Sequence, residues 1–222
     1  MNFYESLLEQ TRSEREFLIG APIIQQALAG AVSLDSYVAF LREAYHHVKH
    51  TVPLLMACGA RLPERLEWLR EAITEYIEEE YGHQEWVLND IRACGGNPDV
   101  VRGSVPKLAT ELMVSYVYDR VARHNPVSFF GMVTVLEGTS IALATQVAGI
   151  IQDKLQLPAT AFSYLNSHGN LDLEHIELLK RLMDRLDNAD DQAAVVHTAK
   201  VVYRLYGEMF RSLPLAASER FS

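Results

Sequence analysis

The stretch EYIEEEYGHQEWVLNDI, residues 75–91, holds five glutamates, one histidine and no proline, and it reads as helix. Glu78, Glu79 and Glu80 are consecutive, so at about 3.6 residues per turn they cannot share one face. Heptad spacing settles which of them turns inward. Leu66, Leu69, Ile73, Tyr76, Glu80, His83 and Val87 fall on one stripe of a helix drawn from about residue 64 to 94, with Ile91 four residues further on. That stripe is apolar at both ends and carries Glu80 and His83 in its middle, whereas Glu78, Glu79 and Glu85 lie off its centre. Glu80 is therefore expected to face the core, with Glu79, four residues before His83, as the competing candidate.

Working outward, nearly the whole chain reads as helix. Helices are expected over about 2–18, 21–29, 34–61 with a kink at Pro53, 63–94, 106–125, 127–155, a short piece from Pro158, 171–187 and 190–212. No valine-rich alternating run competes with them. The expected fold class is all-α, a single domain spanning 1–222 and built as a bundle of about seven to nine helices. The 222 residues suffice for one sizeable core, and 49% hydrophobic with 22% charged residues is ordinary globular composition. A net charge of −9 without a basic stripe makes nucleic acid and anionic membranes poor partners. Cys58 and Cys94 have no metal-ligand spacing and fit a reducing compartment. No signal peptide is visible in the polar N-terminal stretch, so a cytoplasmic location is expected. The apolar segment 127–151 is long enough to span a bilayer, but Glu137 near its middle favours a buried helix of a soluble core.

A second acid-x-x-His pattern follows further along. His168, Asp172, His175, Leu179, Leu182 and Leu186 recur at fours and threes, and Glu137 adds a carboxylate from the most apolar helix. Buried carboxylates are costly unless hydrogen-bonded or metal-bound, and little lysine or arginine sits on these stripes. A pair of divalent metals held by Glu80, His83, Glu137, His168, Asp172 and His175 answers that cost, since carboxylate and imidazole at i, i+3 form the di-iron and di-manganese sites of helical bundles. A hydrogen-bonded network of the same six residues is the alternative. Glu43 and His46 form a third Glu-x-x-His without a clean second set. Beside them, Tyr45, His47 and His50 are candidates for a substrate pocket. His124 and His197 read as peripheral, and Tyr116, Tyr118, Phe129 and Phe130 as core.

With EEEYGHQEW at 78–86, LEGTS at 136–140 and HGNLDLEH at 168–175, the sequence resembles the haem-oxygenase-like di-metal oxidases, within the wider TenA/THI-4/PqqC-like helical superfamily. The likeness extends over essentially the whole chain. It implies Glu80 and His83 as the first ligand pair, Glu137 as the central acid, and His168, Asp172 and His175 as the last triplet. Some members carry a glutamate seven residues before the first histidine; here that position is Tyr76, closer to the alkene-forming fatty-acid decarboxylase branch than to the p-aminobenzoate-forming one. The first 45 residues contain no histidine of the kind that holds haem in haem oxygenase, so no haem is expected. No cysteine follows Cys94, against thiaminase-type chemistry. The resemblance thus implies two iron ions, or a mixed manganese–iron pair, using O2 to oxidise or cleave a small amino-acid, fatty-acid or aryl substrate, with an electron donor that is not specified and a homodimeric assembly. A metal-free TenA/PqqC-like protein that binds or transforms a small heterocycle is the second implied class.

Overall fold

The computed structural model describes residues 1–216, apart from the side chains of Thr145 and of residues 167–175. Among the described residues there are twelve α-helices, three short 3-10 turns and no strand. The helices are α1 (Phe3–Gln10), α2 (Arg12–Ile19), α3 (Pro22–Leu28), α4 (Leu34–Val48), α5 (Thr51–Arg61), α6 (Glu67–Glu80), α7 (His83–Ala93), α8 (Pro98–Arg102), α9 (Leu108–Arg123), α10 (Phe129–Leu155), α11 (Ser163–Arg185) and α12 (Ala189–Arg211).

The count exceeds the sequence expectation because three expected helices are each divided in two. Residues 2–18 break at Thr11, whose hydroxyl donates to the Leu7 carbonyl at 2.8 Å. Residues 34–61 break at Lys49–His50, not at Pro53; the proline sits in the first turn of α5, where its missing N–H has no intrahelical partner to lose. The helix expected over 63–94 breaks at Tyr81–Gly82, where Tyr81 is extended and Gly82 has φ of 96°, a conformation that costs glycine little. In the opposite sense, the break expected around residues 168–170 is absent from the backbone, and α11 runs through it.

The most apolar helix, α10, packs against α11 and α12, with further contacts to α3, α5 and α9. Its Pro126–Ala144 window is long and apolar enough to cross a membrane, yet 61% of that window is buried inside the protein. Its hydroxyls are satisfied within the helix: Thr134 donates to the Phe130 carbonyl at 2.7 Å and Thr139 to the Val135 carbonyl at 2.6 Å. Gly131 lets α12 approach closely. A Cβ added there would stand 2.6 Å from the Val195 carbonyl oxygen and 2.7 Å from the Ala199 amide nitrogen, both backbone atoms that no rotamer change can move.

Gly131→Ala should therefore destabilise the protein by about 3 kcal/mol, seen as a fall in Tm of roughly 6–12 °C. Gly149→Ala, where a Cβ meets nothing within 4 Å, is the control and should match or slightly exceed the parent. Equal melting temperatures for the two variants would refute the close-contact account.

Candidate metal centre and cavity

Five carboxylates are buried among the described residues: Glu43, Glu80, Asp90, Glu137 and Asp191. Three serve the framework. Glu43 accepts from the Lys107 amide at 3.1 Å and from the Thr110 hydroxyl at 2.5 Å, which caps the N-terminus of α9. Its Glu-x-x-His spacing to His46 thus has a structural use. Asp90 does the same for α11, accepting from the Ser163 and Tyr164 amides at 2.9 Å each and from the Ser163 hydroxyl. Burial raises its pKa, and these bonds offset that only in part. Asp191 is gripped by two nitrogens of Arg65 at 2.6 and 3.0 Å and by the Asn125 amide at 2.8 Å. Burial alone would raise its pKa, but the bonds to Arg65 and Asn125 outweigh it and hold the carboxyl below its usual range.

The other two acids, Glu80 and Glu137, face a cavity. Glu80 is the last residue of α6 and is buried, while Glu78 and Glu79 are exposed, so the inward register read from the heptad stripe holds despite the helix break. His83 is the first residue of α7, and its Nδ1 lies 3.0 Å from Glu80 Oε2. The break thus leaves the i, i+3 pair in contact, and His83 also stacks on Trp86 with ring centroids 4.0 Å apart. Glu137 comes from mid-α10 and, like Tyr76, lines that cavity. Burial first, then the charges of Glu137 and Glu80, push the Tyr76 phenol well above its ordinary pKa, which places both carboxylates within electrostatic reach of one hydroxyl. Tyr4 is raised to about 12, mainly by burial, with Tyr203 and Glu137 contributing.

The cavity lies where the protein's two apolar cores meet. Leu55, Met132 and Phe210 of one core and Val32, Tyr37 and Ile151 of the other all line it. The space open to the centre of a water molecule totals about 160 Å³. Glu80 and Glu137 are the two acids among its described lining residues, joined by His47, Tyr76, Tyr164 and Tyr206.

Of the three pocket candidates, His47 lines the cavity, fully buried and edge-on to Tyr206 at 5.6 Å. Tyr45 and His50 are not among the described residues that line it. Tyr45 packs in the second core with Lys49 over its ring, and the His50 Nδ1 pairs with the Tyr118 hydroxyl at 3.1 Å. The reason is helical phase: on α4, His47 faces α12 whereas Tyr45 lies about 200° away, and the chain breaks before His50. Sequence reading missed Tyr76, Tyr164 and Tyr206 as cavity residues, since tyrosines on apolar stripes look like ordinary core. His124 and His197 are exposed, as expected.

The fit to a metal can be judged on the described half of the site. Two buried carboxylates and an imidazole are hard-to-borderline donors suited to iron or manganese. Glu80 also sits at the negative end of the α6 dipole, where a bare carboxylate is disfavoured and a cation is welcome. The donor chemistry fits. Among the described residues, no group of three or more His, Cys, Asp or Glu is close enough to hold an ion by itself. The remaining expected ligands, His168, Asp172 and His175, lie outside the described side chains; the helix that carries them, α11, packs against both α10 and α7.

Solved structures place this arrangement in the haem-oxygenase-like, TenA-type fold. A domain of unknown function with a haem oxygenase-like fold from Shewanella denitrificans OS217 superposes with a TM-score of 0.82 at 22% identity, covering 100% of this chain and 99% of that one. A TenA homologue from Pseudomonas syringae pv. tomato gives 0.79 at 11% identity over 94% and 90%. Haem oxygenase-1 from the cyanobacterium Synechocystis sp. PCC 6803, solved with haem, gives 0.74 at 13% identity over 95% and 91%. No curated protein matches the chain by sequence. Over residues 38–207 the sequence matches the family described as iron-containing redox enzyme, and the chain belongs to that family.

One titration beside the cavity is testable. His46 is held between the Ser104 hydroxyl, 2.9 Å from Nε2, and Lys49, 3.4 Å from Nδ1. Burial, then Lys49 and Arg42, lower its pKa to about 4. A folded-state pKa below the unfolded value of about 6.5 means that this contribution to stability is complete above that value and is lost as pH falls toward 4. His46→Gln should therefore flatten the fall in Tm between pH 6.5 and 4. An identical pH profile in parent and variant would contradict that assignment.

Proposed function

We propose that the protein is a non-haem di-iron, or mixed manganese–iron, oxidase that uses O2 to oxidise or cleave a small substrate. The observation that carries this is that Glu80, in contact with His83, and Glu137, from the sequence-distant helix α10, face one largely apolar cavity in a chain of an iron-containing redox family. Glu80, His83 and Glu137 would hold the metals together with His168, Asp172 and His175. When bound, the metals would supply dioxygen activation and electron transfer. The chain's own contribution is positional. Tyr76 places its phenol in the cavity wall within electrostatic reach of Glu137 and Glu80. The largely apolar lining keeps water away from the acids. His47 offers the cavity a donor or acceptor from the wall formed by α4.

A metal-free TenA/PqqC-like binding protein is the second reading, favoured by one specific feature: Glu80 and His83 lie in direct contact, 3.0 Å apart.

Glu137→Ala separates the two. In protein grown with iron, the parent should carry roughly two irons per chain and the variant less than one, with oxygen uptake on reduction falling in parallel and the helical circular-dichroism signal retained. Iron content and uptake unchanged by the substitution, or a Soret band in the iron-loaded parent, would overturn the non-haem reading. We further propose a homodimer, for which light scattering should give twice the 25.0 kDa chain mass; a 25 kDa particle at working concentration would remove that assignment.

A further inference from the structure

Glu80, His83 and Glu137 are 8%, 2% and 9% exposed, so a reductant in solution has almost no direct contact with them. Yet an iron centre that uses O2 must be returned to its reduced state by electrons from outside the protein. An indole bridges that gap. Trp86 stands three residues beyond His83 on α7 and stacks on its imidazole, with ring centroids 4.0 Å apart and planes 26° from parallel. Trp86 itself is only half-buried. Among the described residues it is the one ring stacked on a candidate ligand.

Packing alone does not account for the position of this side chain. Among the described residues Trp86 packs on neither apolar core, whereas the other tryptophan, Trp68, packs on the first. Trp68 is also remote, twelve residues before Glu80 or about 18 Å along α6, and the Arg185 guanidinium lies over its ring at 4.3 Å. The stack of Trp86 on His83 is tighter than the roughly 4.5 Å at which aromatic pairs usually begin, so the two π systems are in van der Waals contact. It sits on a clamped stretch of helix. On one side His83 meets Glu80 at 3.0 Å; on the other, four residues past Trp86, Asp90 accepts from the Ser163 and Tyr164 amides.

We infer that Trp86 is where electrons enter this protein, passing from a one-electron donor at the surface through the indole–imidazole stack to an iron held by His83. One electron leaves the donor, which is oxidised, and converts a ferric ion to the ferrous state; the indole is unchanged and no bond forms or breaks. The inference rests on the proposed function for the metal and deepens it by naming where the electron supply arrives. Trp86 acts through His83 and touches neither metal nor substrate in this scheme.

The test has two readouts, neither of them turnover. The first is fluorescence of the metal-free protein in a Trp68→Phe background, which leaves Trp86 as the single tryptophan. Titration with Co²⁺ should quench most of the indole emission, at the stoichiometry that calorimetry gives for binding. The second is anaerobic reduction of the ferric, iron-loaded protein by photogenerated ruthenium(I) tris-bipyridine, a bulky cation drawn to a chain of net charge −9. Rate constants are read per bound iron. Trp86→Leu should slow this reduction by roughly 10–100-fold, the range seen when a group behind a metal ligand is removed. Trp86→Phe keeps a ring against the imidazole and should stay close to the parent, a rescue that a space-filling role does not require. Trp86→Met is the second ringless variant should the first fail to fold. Cobalt bound without quenching, or a folded ringless variant whose iron is reduced as fast as the parent's, would overturn the entry route and leave the oxidase reading standing. A parent protein that binds no iron would remove both.

Discussion

A carboxylate taken out of water must be met by donors or by a cation, and that constraint organises this protein. Glu43, Asp90 and Asp191 are met by donors. Glu43 spends its lone pairs on the Lys107 amide just before α9 and on the Thr110 hydroxyl in its first turn, and Asp90 on the first two amides of α11, groups left without intrahelical partners. Asp191 spends its own on Arg65 and Asn125, tying the start of α12 to the turns before α6 and α10. With these three accounted for as joints of the bundle, Glu80 and Glu137 stand apart as the buried acids that face open volume. Reading all buried acids as one class would have made Glu43 and His46 a rival metal motif.

The break at Tyr81–Gly82 serves the same distinction. In an unbroken helix, Glu80 and His83 would stand on adjacent turns, each with its backbone saturated by the ladder. Here Glu80 ends one helix and His83 begins the next, so the acid meets the negative end of a dipole and the imidazole the positive end of another. Neither position suits the charge that the residue could carry, which is unusual for a pair selected for stability alone. Their contact at 3.0 Å compensates in part.

Much of this was legible in the sequence. The inward turn of Glu80 followed from Leu69, Ile73 and Tyr76 on its stripe, and burial bears out that register. The all-α class followed from periodicity, and α10 as a buried helix followed from its acid and hydroxyls. The break before Gly82 was not legible, because one glycine amid strong helix formers competes poorly with propensity, and it is tertiary packing that decides. The caps supplied by Glu43 and Asp90 act across 64 to 74 residues, beyond any local pattern. A signal for them did exist: α9 is preceded by Lys107 and α11 by Phe162, neither of which caps a helix, so each needed an acceptor from elsewhere. His47 and His50, three residues apart and on one face of an unbroken helix, could not be separated by sequence, since their phases differ only once the break after α4 is known.

The position of Asp90 carries this one step further. It stands seven residues after His83 on α7, two turns along and on nearly the same face. One end of that face supplies an imidazole to the pair with Glu80; the other end holds the first amides of α11. Hydrogen bonds to a charged acceptor are worth about 1.5–3 kcal/mol each, enough to fix where α11 begins along α7. The register of α11 is therefore set from within the helix that presents His83, and α11 is the helix on which the sequence places His168, Asp172 and His175. A framework acid and the imidazole that touches Glu80 stand two turns apart on one helix, so that the buried acids with structural duties and those facing the cavity are mechanically linked though chemically distinct.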